Sequence, residues 1–249
     1  LASILLDEDI PLPRDTSVIL FDGGDRIQSS FPIAVTRGVH SGGSPGALLG
    51  GAVEVHNTDS WGTSFKSPIG IGMADDATDS FSITELYAMA AEDNTVVTLP
   101  GGPFDVTKPN GDLHVITNND PAISETFTLN MGDTLRISKI KVDDSLTATK
   151  PVQADLITGD QGSNYEMRWY SLLPVNLWTN DYYTPVGDLN TRVYCYNPHE
   201  FDFKVSYDNI ERNQFEHGDR KGEIDLKKGQ TTKFEIPREG SGYRFYSKN

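Results

Sequence analysis

A chain of 249 residues with 37% hydrophobic content can fill one large core or two ordinary ones. Its 36 acidic residues against 21 basic ones give a formal charge of -15, which leaves no basic stripe to neutralise phosphates and so excludes nucleic acid as a partner. The single cysteine, Cys195, excludes an internal disulfide, and the absence of an apolar run of transmembrane length argues against direct membrane insertion.

In chain order, residues 1–9 are too short and too acidic for a signal peptide. Short alternating runs rich in β-branched and aromatic residues follow: 17–21 (SVILF), 31–38 (FPIAVTRG), 95–99 (TVVTL), 125–129 (ETFTL), 150–159 (KPVQADLITG), 192–196 (RVYCY), 202–207 (DFKVSY) and 232–236 (TKFEI). Each is expected to be a strand. The helix-like stretch 84–91 (TELYAMAA) is short and is read as a buried strand too. Turn clusters such as 22–25 (DGGD), 41–45 (SGGSP), 100–103 (PGGP) and 110–112 (NGD) punctuate the runs at the spacing of antiparallel sandwiches.

Internal repetition is the stronger signal. Residues 53–70 align without gaps to residues 170–187, matching Trp61 with Trp178, Phe65 with Tyr182, Pro68 with Pro185 and Gly70 with Gly187, a constant shift of 117. LNMGDTLRI at 129–137 answers LKKGQTTKFEI at 226–236, and KPVQADLITG at 150–159 answers FPIAVTRG at 31–38. The second copy therefore lacks its last strand, while a matching strand stands near the N-terminus. The expected architecture is all-β: two β-sandwich-like repeats related by internal pseudo-symmetry, with N-terminal strands completing the C-terminal repeat. Residues 1–56 form the N-terminal segment, 57–170 the first repeat and 171–249 the second. Residues 31–37 are expected to pair near Tyr243 to Ser247, either in the same chain, closing a pseudo-twofold unit, or in a neighbour, giving strand exchange and a filament.

These landmarks resemble the IgGFc-binding protein N-terminal domain family. The resemblance is carried by residues 53–70 with their Trp-Gly-Thr core, 92–96 (EDNTV), 129–135 around Gly132, 150–159 and 169–187. It implies an extracellular, repetitive β-rich domain of adhesive, mucus or cell-surface layers, and no defined ligand. The second copy departs from the first at Asn180, where the first has Thr63, and at Pro198-His199-Glu200, which replaces the Asp-Asn-Thr turn.

Chemistry-bearing residues are few. Trp61 and Trp178 are read as structural plugs, with sugar stacking as the rival reading. Tyr182 and Tyr183 are adjacent on one strand and must face opposite sides, so with Asn180 and Asp181 they are the candidate ligand-binding group. His40, His56, His114, His199 and His217 lack zinc-site spacing, and Cys195 reads as a small buried hydrophobe. Asp75, Asp76, Asp79, Asp160 and Glu166 put several oxygens in loops, as calcium prefers. Calcium bound there would raise the melting temperature in millimolar calcium, because a ligand of the folded state stabilises it by mass action. An unchanged melting curve with and without chelator removes metal from the account.

The sequence thus points to a non-catalytic adhesion or structural module, extracellular or at the cell surface. Its expected partners are other proteins or copies of itself in a surface layer, matrix or filament. A glycan-binding module is the alternative, and a carbohydrate-active hydrolase a further one.

Overall fold

The computed structural model describes residues 27–39, 51–73, 81–159, 167–184, 191–209, 221–236 and 242–247. The chain is all-β. Its strands are β1 (Thr36–Val39), β2 (Gly51–Glu54), β3 (Gly62–Lys66), β4 (Ile83–Ala90), β5 (Thr95–Pro100), β6 (Phe104–Thr107), β7 (Leu113–Ile116), β8 (Ser124–Leu129) and β9 (Thr134–Ser138). They continue with β10 (Ser145–Gly159), β11 (Met167–Leu172), β12 (Asp181–Tyr183), β13 (Arg192–Tyr196), β14 (Phe203–Asn209), β15 (Lys221–Leu226), β16 (Thr231–Glu235) and β17 (Tyr243–Tyr246). The stretch around Thr84 is strand β4, as its alternation requires: Thr84, Leu86, Ala88 and Ala90 are buried while the residues between them are not.

Among the described residues a curled sheet of nine strands runs β7-β6-β9-β4-β10-β5-β8, with β3 and β11 also paired to β10. The curl is made by β10, which serves two layers. Its first part pairs with β3 (Leu146↔Phe65) and β5 (Thr147↔Thr98); its second part pairs with β4 (Leu156↔Leu86) and β11 (Leu156↔Tyr170). The register with β3 shifts between Thr147 and Val152, a stretch that holds Pro151, whose missing N–H cannot continue a ladder. Phe65, Leu86, Ala88, Leu135, Ile137, Leu146 and Leu156 meet in the core the curl encloses. A smaller core lies between the sheet β12-β17-β14-β15 and the pair β13–β16, where Ile224, Leu226, Ile236, Tyr243 and Phe245 pack with Val193, Cys195 and Phe234.

Several local features and pairings recur around the two cores. One turn of 3-10 helix at Thr58–Ser60 leads to Trp61, and another at Val175–Leu177 leads to Trp178. Each indole Nε1 donates to the carbonyl five residues before it, His56 O at 3.1 Å and Leu173 O at 3.0 Å. Beyond the turns, Phe65 stands opposite Leu146 and Tyr182 opposite Phe245. β5 pairs β8 from Thr95↔Leu129 onward, and β14 pairs β15 from Phe203↔Leu226. Gly132 N donates to Ala90 O at 2.9 Å, and Gly229 N to Asn197 O at 3.0 Å. Both glycines have positive φ, 84° and 63°, the left-handed conformation that favours glycine at such a turn.

One expectation is corrected. Residues 31–37 do not pair near Tyr243 to Ser247, because β17 already carries β12 on one edge and β14 on the other (Asp181↔Tyr246, Ser206↔Tyr246). The N-terminal strand instead forms a hairpin with its sequence neighbour: Thr36↔Glu54 and Arg37↔Val53, extended by Val55 N to Val35 O at 2.8 Å. The nearer partner costs less loop-closure entropy. Residues 1–26 of the expected N-terminal segment lie outside the described residues.

Candidate functional site

The Trp178 turn delivers the chain to β12. Thr179 N donates to the Tyr182 hydroxyl at 2.9 Å, and Thr179 Oγ1 to Asp181 O at 3.1 Å, so this strand is held by its own turn as well as by β17. Alternation puts Asp181 and Tyr183 on the outer face of the sheet and Tyr182 on the side of Phe245. Tyr183 is 62% exposed.

The neighbouring strand brings Arg244 and Tyr246 to that outer face. Arg244 sits opposite Tyr183 and diagonal to Asp181, within side-chain reach. Its guanidinium donates through Nε to Asp181 Oδ1 at 2.8 Å and through Nη2 to Oδ2 at 2.7 Å, a two-point grip on one carboxylate. The same cation lies over the Tyr246 ring at 4.6 Å and the Tyr183 ring at 5.6 Å. The Arg244 guanidinium holds the Asp181 carboxyl below the usual carboxylate range, and the Asp181 carboxylate raises Arg244 in turn. Tyr246 OH donates to Asp208 Oδ2 at 3.3 Å, and the face continues into Lys204 with Glu223 at 3.0 Å. The result is an exposed aromatic ring beside a cation that is itself gripped by a carboxylate, with further charges around it. That arrangement suits stacking against the C–H face of a sugar or against a partner's aliphatic surface.

The sequence singled out Asn180, Asp181, Tyr182 and Tyr183, and the structure unites Asp181 and Tyr183 on one surface. Tyr182 is turned away from them, and Asn180 O is engaged by Ser247 N at 2.9 Å. Arg244, Tyr246 and Asp208 were missed because they arrive from other strands. The alternation in Tyr243-Arg244-Phe245-Tyr246 was the available signal, since it places Arg244 and Tyr246 on one face.

The chain matches no family model, no curated protein and no solved structure. Function is therefore read from the geometry of its residues. Trp61 and Trp178 are partly buried, each pinned through its indole N–H, while Phe65 is wholly buried. Gly70 is buried where any side chain would overlap the backbone of Lys141 and Val142, and Pro68 O accepts from the Thr231 hydroxyl of β16. The motif thus braces the two cores against each other. Pro185 and Gly187, its later matches, lie outside the described residues, as do the calcium candidates Asp75, Asp76, Asp79, Asp160 and Glu166. Among the described residues no group of three or more His, Cys, Asp or Glu is placed to hold a metal ion. His114 contacts Glu125 and lies edge-on to Phe127, and His199 stacks on Phe201. Burial pushes the Cys195 thiol up to about 11, which keeps it protonated and poorly nucleophilic at neutral pH.

Proposed function

We propose that this chain is a non-catalytic extracellular module for adhesion or structure in a matrix, mucus or cell-surface layer, built of two copies of one pseudo-symmetric repeat. It works through protein–protein or multivalent contacts. The observation that carries the reading is the recurrence of several pairings, Trp turn included, around the two cores. Repetition multiplies weak contacts, so avidity replaces a single deep site. The resemblance to the IgGFc-binding protein N-terminal domain family supports the same setting.

Binding of the soluble chain and of the chain clustered on beads to mucus and matrix proteins tests this. Clustering is expected to strengthen binding by about 10²–10⁴-fold. Binding that is indifferent to valency, or absent in both forms, rejects the proposal.

The exposure of Tyr183 supports glycan binding as a second reading. On a glycan array, a signal lost on Tyr183→Ala and kept on Tyr182→Phe favours it, whereas a blank array removes it.

A further inference from the structure

We infer that β8 is the contact surface of a symmetric dimer, adding antiparallel to β8 of a second copy of this chain about a twofold axis at Thr126. β8 is an edge strand, paired with β5 from Thr95↔Leu129 to Pro100↔Ser124. Val96 N donates to Thr149 Oγ1 of β10 at 2.9 Å, so Val96 and Thr98 turn their backbone groups to β10, while Thr95, Val97 and Leu99 turn theirs to β8. That commits Leu129, Phe127 and Glu125 to β5. The N–H and C=O groups of Ser124, Thr126 and Thr128 therefore point away from the sheet. Among the described residues no hydrogen bond engages those groups, and all three residues are exposed. His114 of β7 meets Glu125 and Phe127 on the core side of β8, which leaves the outer edge clear.

An open edge recruits other strands, and folded proteins commonly blunt it with charge. The smaller core shows the blunted form. There β15 pairs β14 with Leu226 opposite Phe203, as β8 pairs β5 with Leu129 opposite Thr95. Counting back from the two leucines, Thr128 aligns with Asp225, Thr126 with Glu223 and Ser124 with Lys221. Lys204 lies 3.0 Å from Glu223 and 3.8 Å from Asp225, so that face is laced with ion pairs. β8 carries hydroxyls at the same three places, and its one ionisable residue, Glu125, is turned to the core side against His114. In a chain of net charge -15, two copies meet with least repulsion along a strand that presents no charge.

The strand is also complementary to itself. With the axis at Thr126, Thr126 stands opposite Thr126 of the second copy and Ser124 opposite its Thr128. Each outward residue thus meets another outward residue and exchanges backbone bonds with it. The side chains on the exposed face then form Thr–Thr and Thr–Ser cross-strand pairs, which stabilise antiparallel ladders. Ile123 and Met131, 48% and 64% exposed, flank β8 at opposite ends. The antiparallel arrangement brings Ile123 of one copy to the end where Met131 of the other lies. Because both copies use the same surface, the contact closes at two chains. It does not depend on what the module adheres to.

The test uses the full chain. Size-exclusion chromatography with light scattering over the micromolar range is expected to show the mass of two chains and nothing larger. Thr126→Glu places at the axis the residue type that β15 carries at the aligned Glu223, a charge this kind of strand tolerates. Its two facing carboxylates are expected to return the protein to one chain, and Thr126→Lys is expected to do the same. Mixing the two variants sets opposite charges across the axis and is expected to restore two chains. Thr147→Glu lies in the same row of the same face, but on β10 between β3 and β5, and is expected to leave the dimer intact. A mass of one chain at every concentration overturns the inference, as does growth beyond two chains. So does a dimer that both Thr126 variants leave unchanged, a mixture of them that stays at one chain, or a Thr147→Glu protein that loses the dimer as fully as they do.

Discussion

Phe65→Ala is expected to lower stability by about 3–5 kcal/mol, the range for deleting an aromatic side chain from a packed core. Tyr182→Ala, at the position 117 residues on that aligns with it in the sequence, is expected to cost less than about 1.5 kcal/mol, near the worth of one hydrogen bond. Phe65 is 1% exposed and stands opposite Leu146 where β10 joins two layers, so its loss leaves a void ringed by strands that cannot collapse. Tyr182 holds the same register opposite Phe245 but is 46% exposed, and its hydroxyl accepts only a turn amide, Thr179 N. Denaturant unfolding of both variants checks the contrast. Equal losses would mean that the smaller core depends on β12 as fully as the larger depends on β3.

Asp144→Asn is expected to stabilise the protein at pH 7.5, by about 1–2 kcal/mol, and to leave it unchanged below about pH 4. The carboxyl sits in the turn between β9 and β10, where its Oδ2 accepts from Lys141 N at 2.6 Å. Burial raises its pKa from 3.8 to about 6, against the opposing help of the Lys141 amide and charge and with the neighbouring Asp143 adding to the rise. A carboxyl held above its unfolded value favours the protonated folded state. Its stabilising contribution is full below about pH 4 and is lost as pH rises through about 6. Asn keeps the acceptor oxygen without the charge, so it removes that loss. The same turn joins the two cores: Asp143 pairs with Lys66 at 2.6 Å and accepts from the Tyr196 hydroxyl. Melting curves of wild type and variant from pH 4 to 8 check the sign, and curves that stay parallel throughout would show that Asp144 titrates like a free carboxyl.

The all-β class, the strands at Thr84, Thr95, Arg192 and Thr232, and the glycine turns at Gly132 and Gly229 are local properties of the sequence. Each follows from alternation, from β-branched side chains or from a backbone conformation suited to glycine, which act within a few residues. The 117-residue shift belongs with them, because repeated side chains are legible without knowing what they touch. Asp181 and Tyr183 were legible as a pair on the same ground, one residue apart on a strand. The tertiary structure alone decided which strand pairs with which. Backbone hydrogen bonds are the same for every residue, so nothing in FPIAVTRG distinguishes β2 from β17 as a partner; loop closure and the prior occupation of both β17 edges made that choice. The double service of β10 escapes local patterning as well, since both parts alternate alike and only the layers around Pro151 differ. Arg244 over Tyr183 is likewise a product of cross-strand register, a relation between residues 61 positions apart that chain order does not encode.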